Sequence, residues 1–202
     1  MQLKPRRIVS LVILFAALIA FVLILKKPAP VGRSQAPAAI AQNARSFDQK
    51  MAEFDEATKS GILSGALDKA EIRINADEIS AVLAQSLGTS TAPLTPNSNV
   101  GDGPPPIKEQ QVSFEGDIVH GQFLTAIAGK DVWITISGHL GEKDGYATFD
   151  PTEFKVGDLN VPVSLVNPQL QKKLAEQHDR LKLPDNVGSM KVENSELVMQ
   201  QR

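Results

Sequence analysis

Apolar and polar positions divide the chain into one uninterrupted apolar segment near the N-terminus and a long remainder in which the two kinds of residue alternate. Residues 8–25 are apolar except for Ser10, and Lys26 and Lys27 follow them directly. At about 1.5 Å per helical residue this segment spans roughly 27 Å, close to the thickness of the hydrocarbon core of a bilayer. The pattern predicts a transmembrane anchor helix that begins at Ile8 and ends at Leu25.

A cleaved signal peptide is the alternative interpretation of this segment. Secretory apolar regions usually have about 7–15 residues and end at small, uncharged residues. The present segment is longer and is closed by two lysines, so we expect an uncleaved anchor. Positive residues flank both of its ends, and the positive-inside rule barely separates the two orientations. Because long domains translocate largely regardless of charge, we expect a cytoplasmic N-terminus, one span of the inner (cytoplasmic) membrane and an extracytoplasmic C-terminal domain.

The stretch after the anchor is rich in proline, alanine and polar residues. Such a composition is typical of a tether that holds a domain away from the bilayer. The predicted organisation is a cytosolic stub and anchor over residues 1–27, a flexible linker over 28–45 and an extracytoplasmic domain over 46–202.

Helical spacing of apolar residues begins inside that domain. A short amphipathic helix is expected over residues 43–58. Residues 70–74 alternate as a short strand, and Asn75 with Glu78 has the spacing of a capping box at the start of a second helix. The glycine-, proline- and serine-rich residues 88–106 cannot pack a core, and they predict either a disordered insertion loop or a lid over a groove.

From residue 107 onward the pattern changes to the period of two that is typical of half-buried strands. Residues 132–140 alternate most regularly, and a bend is expected at Asp150 and Pro151. Residues 159–165 alternate again, although Pro162 favours an edge strand or an irregular extended segment there. The chain therefore predicts an α+β fold: an N-terminal transmembrane helix, then a mostly antiparallel curved β-meander with two or three packed helices.

The last part of the chain predicts one more helix and a terminal hairpin. Asn167 followed by Pro168 is typical of an N-cap and a first helical residue. Residues 190–192 and 197–199 flank a turn and are expected to pair with each other.

Composition excludes several classes of function. The chain of 202 residues carries a formal net charge of −2 and no cysteine, so disulfides, thiol catalysis and zinc–thiolate sites are excluded. No basic block or aromatic platform indicates nucleic-acid binding. The three histidines, His120, His139 and His178, lack metal-ligand spacing, and we expect structural or surface roles for them. We find no catalytic, cofactor-binding or metal-ligating pattern and expect a protein that is not an enzyme and uses no cofactor.

The inner face of the predicted sheet is the candidate binding surface. It is core by default and becomes a hydrophobic groove only if the helices leave it partly uncovered. Trp133 lies on the opposite, polar face of its strand, and it either packs under a helix or the 88–106 loop or contacts a partner or lipid headgroups. The candidate groove residues are Phe123, Ile127, Val132, Ile134, Ile136 and Phe149.

Two short stretches, IRINADEISAVL at residues 72–83 and KVGDLNVP at residues 155–162, resemble small single-pass bacterial proteins of the YpmS type. Ser80 stands where that pattern places an asparagine. The resemblance implies an extracytoplasmic domain of the bacterial envelope and allows a lipid-handling role, because these proteins are similar in outline to tubular lipid-binding domains.

The function expected from the sequence is therefore a membrane-anchored, non-enzymatic domain that binds lipid or another hydrophobic ligand in envelope biogenesis. The alternative is a structural or scaffold subunit of an envelope protein complex. The expected partners are the membrane, which the chain spans once, and a lipid or an envelope protein, with no nucleic acid.

Overall fold

The computed structural model describes residues 17–64, 69–88, 107–127, 129–176 and 178–202. Four α-helices and a short 3-10 helix lie in these ranges: α1 (residues 17–25), α2 (Pro37–Ser64), α3 (Ala76–Gly88), α4 (Val163–Glu176) and the 3-10 helix His178–Leu181. The strands are β1 (Glu71–Ile74), β2 (Ile107–Glu115), β3 (Ile118–Ile127), β4 (Lys130–Lys143), β5 (Tyr146–Val156), β6 (Leu159–Asn160), β7 (Val187–Glu193) and β8 (Glu196–Gln201).

The strands form two antiparallel sheets. The large sheet has the order β2-β3-β4-β5-β6, and the small sheet has the order β1-β8-β7. The predicted α+β class with antiparallel strands is confirmed. The sequence did not predict the second sheet, which forms because β1 pairs with the terminal hairpin and places Ile72 opposite Met199.

The hydrophobic core lies where the small sheet, helices α2 and α3 and one end of the large sheet meet. Ile74 and Val187 are fully buried there. The buried residues of this cluster are Phe54, Ile72, Ile74, Val112, Phe114, Val187, Met190, Val192, Leu197 and Met199. The other end of the large sheet extends beyond this core.

The capping box at the start of α3 is confirmed. The Glu78 N–H donates to the Asn75 side chain, and the Asn75 N–H donates to the Glu78 carboxylate, both at 2.9 Å. Helix α2 adds Lys50 and Ser46, which donate to the same carboxylate at 2.9 and 2.6 Å. Burial by itself would raise the pKa of Glu78, but the hydrogen bonds from Lys50, Ser46 and Asn75 outweigh it and hold the pKa below its usual range.

The predicted flexible linker over residues 28–45 is wrong in its second half. Helix α2 begins at Pro37 and continues to Ser64, so it is longer than the helix expected over residues 43–58. Alanine is the best helix former and proline is well suited to a first helical position. A composition rich in proline and alanine is therefore compatible with the start of a helix as well as with a flexible tether.

Helix α4 begins four residues earlier than Asn167, and Pro168 lies inside it. Pro162 stands just before its first turn, where its carbonyl accepts a hydrogen bond from Leu165 N–H. The alternation predicted over residues 159–165 therefore ends at Asn160, because Pro162 interrupts the strand. Pro168 is tolerated on a helix that has no buried residues, since water can replace the hydrogen bond it cannot donate.

Two sequence predictions fall wholly or partly outside the described ranges. Residues 8–16 of the predicted anchor and residues 89–106 of the predicted loop or lid are not among the described residues. No helix within the described ranges combines the length and the apolar character needed to cross a membrane.

Candidate functional site

Helix α1 ends on the turn between β5 and β6. The Asp158 N–H donates to the Leu23 carbonyl at 2.8 Å, and the Lys26 ammonium lies 2.6 Å from the Asp158 carboxylate. Gly157 has a φ of 59°, and a side chain there would meet the carbonyl oxygens of Leu23 and Ile24. Glycine is required at this turn both for its left-handed backbone and for the close approach of α1.

The segment after α1, which we call the strap (residues 26–33), crosses the polar face of the large sheet. The Ala29 carbonyl accepts a hydrogen bond from Gln122 Nε2 on β3 at 3.0 Å. The Gly32 N–H donates to Gln111 Oε1 on β2 at 3.3 Å. Pro28, between these points and the helix, is buried. The first half of the predicted linker is therefore attached to the sheet and does not act as a free tether.

Trp133 lies beneath the strap. The Lys27 ammonium is 5.4 Å from the centre of the indole ring, and only 7% of the residue is exposed. Such a cation–π pair contributes about 0.5–1 kcal/mol near a surface. The sequence placed Trp133 correctly on the polar face, but the described cover is the strap, a segment that had been interpreted as unstructured.

Polar side chains next to Trp133 are buried with it. Gln122 is 2%, Thr135 4% and Ser137 2% exposed, and Gln122 Nε2 also donates to Thr135 Oγ1 at 3.2 Å. Buried amides and hydroxyls need such partners, and the Ala29 carbonyl in the strap provides one for Gln122. The strap therefore matches the polar face chemically as well as sterically.

The opposite face of the large sheet carries half-buried apolar side chains. Cross-strand pairing places Ile134 opposite both Phe123 and Val156, and it places Ile136 opposite Phe154. We call these five residues the apolar band. They are Phe123, Ile134, Ile136, Phe154 and Val156, and all are partly accessible.

The structure brings some of the predicted groove residues together and separates others. Phe123, Ile134 and Ile136 belong to the apolar band. Val132 is buried, at 3% exposed, and Ile127 is 45% exposed at the end of β3. Phe149 is half-buried on the same face, opposite Leu140.

Sequence reasoning missed Phe154 and Val156. Strict alternation from Phe149 would place Phe154, five residues later, on the other face of the sheet. The register shifts between Ser137 and Gly138, and Thr152 is the extra residue on β5. This bulge returns Phe154 to the apolar face. The bend expected at Asp150 and Pro151 was the available signal, but it does not reveal the change of face.

A hydrogen-bonded cluster lies at the edge of the polar face. His120 Nδ1 is 2.8 Å from Ser137 Oγ, which also lies 3.4 Å from the Glu153 carboxylate. His120 Nε2 is buried with no hydrogen-bond partner, and its distance to the Glu115 carboxylate is 3.7 Å. In a nucleophilic triad the histidine lies between the serine and the acid. Here Ser137 is only 2% exposed, and the distance of 3.7 Å from His120 Nε2 to the Glu115 carboxylate is longer than a hydrogen bond, so the cluster lacks an accessible nucleophile and an oriented base.

The other two histidines also have structural partners. The His139 Nδ1 atom is 3.3 Å from the Asp117 carboxylate, and His178 stacks on Tyr146 with ring centres 3.7 Å apart. Within the described ranges, no three histidine, aspartate or glutamate side chains are grouped in a way that could hold a metal ion.

One pocket of the described structure lies away from the apolar band. It has a volume of about 410 Å³ and lies between the strap, α3 and β2. Arg33, Ser80, Ile107 and Gln110 are among its lining residues, and Gln110 Oε1 is buried without a hydrogen-bond partner. Its lining mixes charges of both signs and apolar groups, and none of the predicted groove residues contributes to it.

We compared the chain with protein families, curated proteins and solved structures. No protein-family model matches the chain, and no curated protein or solved structure matches it either.

Proposed function

We propose that this chain is a single-pass membrane protein whose extracytoplasmic domain binds the hydrocarbon part of a membrane lipid on the apolar band. The observation that carries the proposal is the band itself. Five apolar side chains are aligned in register across β3, β4 and β5 and remain partly accessible. Contiguous apolar surface on a folded domain is typical of a binding site for an apolar partner.

The position of the band supports a lipid as that partner. Val156 precedes Gly157, the residue on which α1 ends. Helix α1 continues the apolar segment of the sequence and exposes Leu18, Phe21 and Val22. The predicted anchor and the band therefore meet at one end of the large sheet. A bilayer that holds the anchor would place lipid acyl chains near the band.

The strap supports a binding role for the band because it fixes the position of the large sheet relative to α1. Lys26, Ala29 and Gly32 attach it to three different places on the large sheet. A band that is held at a constant position relative to the anchor needs less ordering when it receives a ligand, and this reduces the entropic cost of binding.

The proposal is tested by purifying the full chain in detergent and recording native mass spectra with and without added phospholipid. We expect the wild-type protein to retain one or more lipids, and Ile136→Asn to lose them. Leu165→Asn is the matched control, because Leu165 is 70% exposed on α4, and it should retain them. Phe154→Leu preserves the apolar character of the band and should also retain lipid. A wild-type protein that carries no lipid would refute the proposal.

A scaffold role in an envelope complex is the second candidate. Helix α4 has no buried residues, and Leu165 is the most exposed large apolar side chain among the described residues. An unpartnered helix face of this kind is suited to a protein partner. A photo-crosslinker at Leu165 that captures one protein in stoichiometric amount, while the purified chain carries no lipid, would favour this role.

A further inference from the structure

The β3–β4 hairpin projects past the point where β5 ends. The β4–β5 ladder ends with Ile134 opposite Val156, whereas the β3–β4 ladder continues to Ile127 opposite Lys130. Four further residues at about 3.3 Å each carry the hairpin roughly 13 Å beyond the last residue of β5. Of β3, β4 and β5, the end of the β3–β4 hairpin therefore extends furthest on this side of the domain.

Helix α1 lies on the same side. The carbonyl groups in the last turn of a helix point along its axis, away from its N-terminus. Leu23, in the last turn of α1, directs its carbonyl to the Asp158 N–H on the β5–β6 turn. The C-terminal end of α1 therefore lies against the end of the sheet from which the hairpin projects.

The chemistry of the hairpin end matches a lipid surface. Among the described residues outside α1, Ile127 and Leu165 are the strongly exposed large apolar ones, and Ile127 is 45% exposed. Lys130 lies opposite it across the hairpin and is exposed. Next to them, Lys108 pairs with Asp131 at 2.6 Å. An exposed apolar side chain beside a lysine combines two interactions that hold protein segments at anionic membranes, burial among the acyl chains and attraction to the headgroups.

From this placement we infer that the end of the β3–β4 hairpin, formed by Ile127 and Lys130, is a second membrane contact. Ile127 enters the boundary between headgroups and acyl chains, and Lys130 meets anionic headgroups. Together with α1 this contact fixes the tilt of the domain over the bilayer. The inference rests on the proposed anchoring and adds to it a specific surface and a lipid class.

The absence of cysteine from the chain makes a labelling test direct. Ile127→Cys, Leu165→Cys and Leu25→Cys are each made in the full chain, labelled with the fluorophore NBD and reconstituted in nanodiscs of phosphatidylcholine and phosphatidylglycerol. Leu25 is the positive control at the end of α1, and Leu165 is the matched control for an exposed apolar residue elsewhere. Spin-labelled lipids then report proximity by quenching.

We expect blue-shifted emission and quenching at positions 127 and 25, and neither at position 165. Adding Lys130→Glu should reduce the quenching at position 127 in discs that contain phosphatidylglycerol. Quenching at position 25 with none at position 127 would overturn the second contact and leave the anchor intact. If labelled protein does not co-fractionate with the nanodiscs at all, the anchoring fails and the inference fails with it.

Discussion

Lys26 and Asp158 are separated by 132 positions in the sequence, and their ammonium and carboxylate groups lie 2.6 Å apart. The side chains are 62% and 35% exposed, and pairs of this kind contribute at most about 1 kcal/mol. The attachment of α1 to the sheet therefore depends more on the backbone contact beside the ion pair. Gly157 makes that contact possible because it has no side chain.

Gly157→Ala should release the strap from the sheet. The variant introduces a backbone strain of about 1–3 kcal/mol and a methyl group that meets the Ile24 carbonyl. We expect faster trypsin cleavage after Lys26 and Arg33 in the folded protein. The measurement is the rate at which these fragments appear during limited proteolysis.

The control for this variant is Gly116→Ala. Gly116 has a similar φ of 63°, and a side chain there meets nothing within 4 Å. It shares the backbone strain without the clash. Equal cleavage rates at the strap in the two variants would contradict the proposed attachment.

The fluorescence of Trp133 should report whether the strap is in place. The chain contains one tryptophan, and the strap covers it. Pro28→Asp puts a charge at a buried position, so the strap should leave the sheet and expose the indole. We expect a red-shifted emission maximum and stronger quenching by acrylamide.

Pro30→Asp is the matched control, because Pro30 is exposed two residues further along the same strap. It adds the same charge and removes a proline as well. An emission spectrum of Pro28→Asp that equals that of Pro30→Asp would show that the strap does not cover Trp133 in solution.

Glu78→Gln should remove a pH-dependent contribution to stability. The pKa of Glu78 lies below its ordinary value of 4.5 in the folded protein, so its stabilising contribution is present above that value. It is lost as the pH falls through the lower, folded pKa, where the carboxylate becomes protonated. We expect the variant to be less stable by about 1–3 kcal/mol at neutral pH, as measured by urea unfolding.

The difference between wild type and Glu78→Gln should shrink in acid below the ordinary pKa. Glu56→Gln, an exposed change on α2, should leave stability nearly unchanged at every pH. A constant difference for Glu78→Gln across the pH series would show that the carboxylate charge does not stabilise the helix start.

Insertion of one alanine after Thr152 should disturb the apolar band. With this further residue, Phe154 and Val156 would turn to the polar face, because a shift of one residue exchanges the two faces of a strand. We expect a strong loss of stability, or loss of folding, in circular dichroism and urea unfolding. Deletion of Thr152 leaves Phe154 four positions after Phe149, on the same face by alternation, so it should cost less stability than the insertion. An insertion variant as stable as wild type would refute the dependence of the band on this register.

Several predictions made from the sequence remain predictions. They are the orientation in the membrane, the cellular location, the lipid or envelope partner and the YpmS-type resemblance of residues 72–83 and 155–162. The experiments on lipid retention and nanodisc quenching address the lipid partner.

Local patterns in the sequence determined the features that depend on neighbouring residues. The capping box of Asn75 and Glu78, the strand over residues 132–140 and the terminal hairpin were predictable, because a few adjacent side chains decide each of them. The apolar character of residues 8–25 is also visible in the sequence, and it makes exposure of this segment to water unfavourable.

Tertiary structure alone decided the features that join distant parts of the chain. Pairing of Ile72 with Met199, docking of the strap over Trp133 and the bulge at Thr152 depend on partners far away in the sequence. The composition of a proline- and alanine-rich stretch does not predict which surface of the domain it packs against. Alternation cannot reveal a bulge either, because the extra residue is defined only against the neighbouring strand.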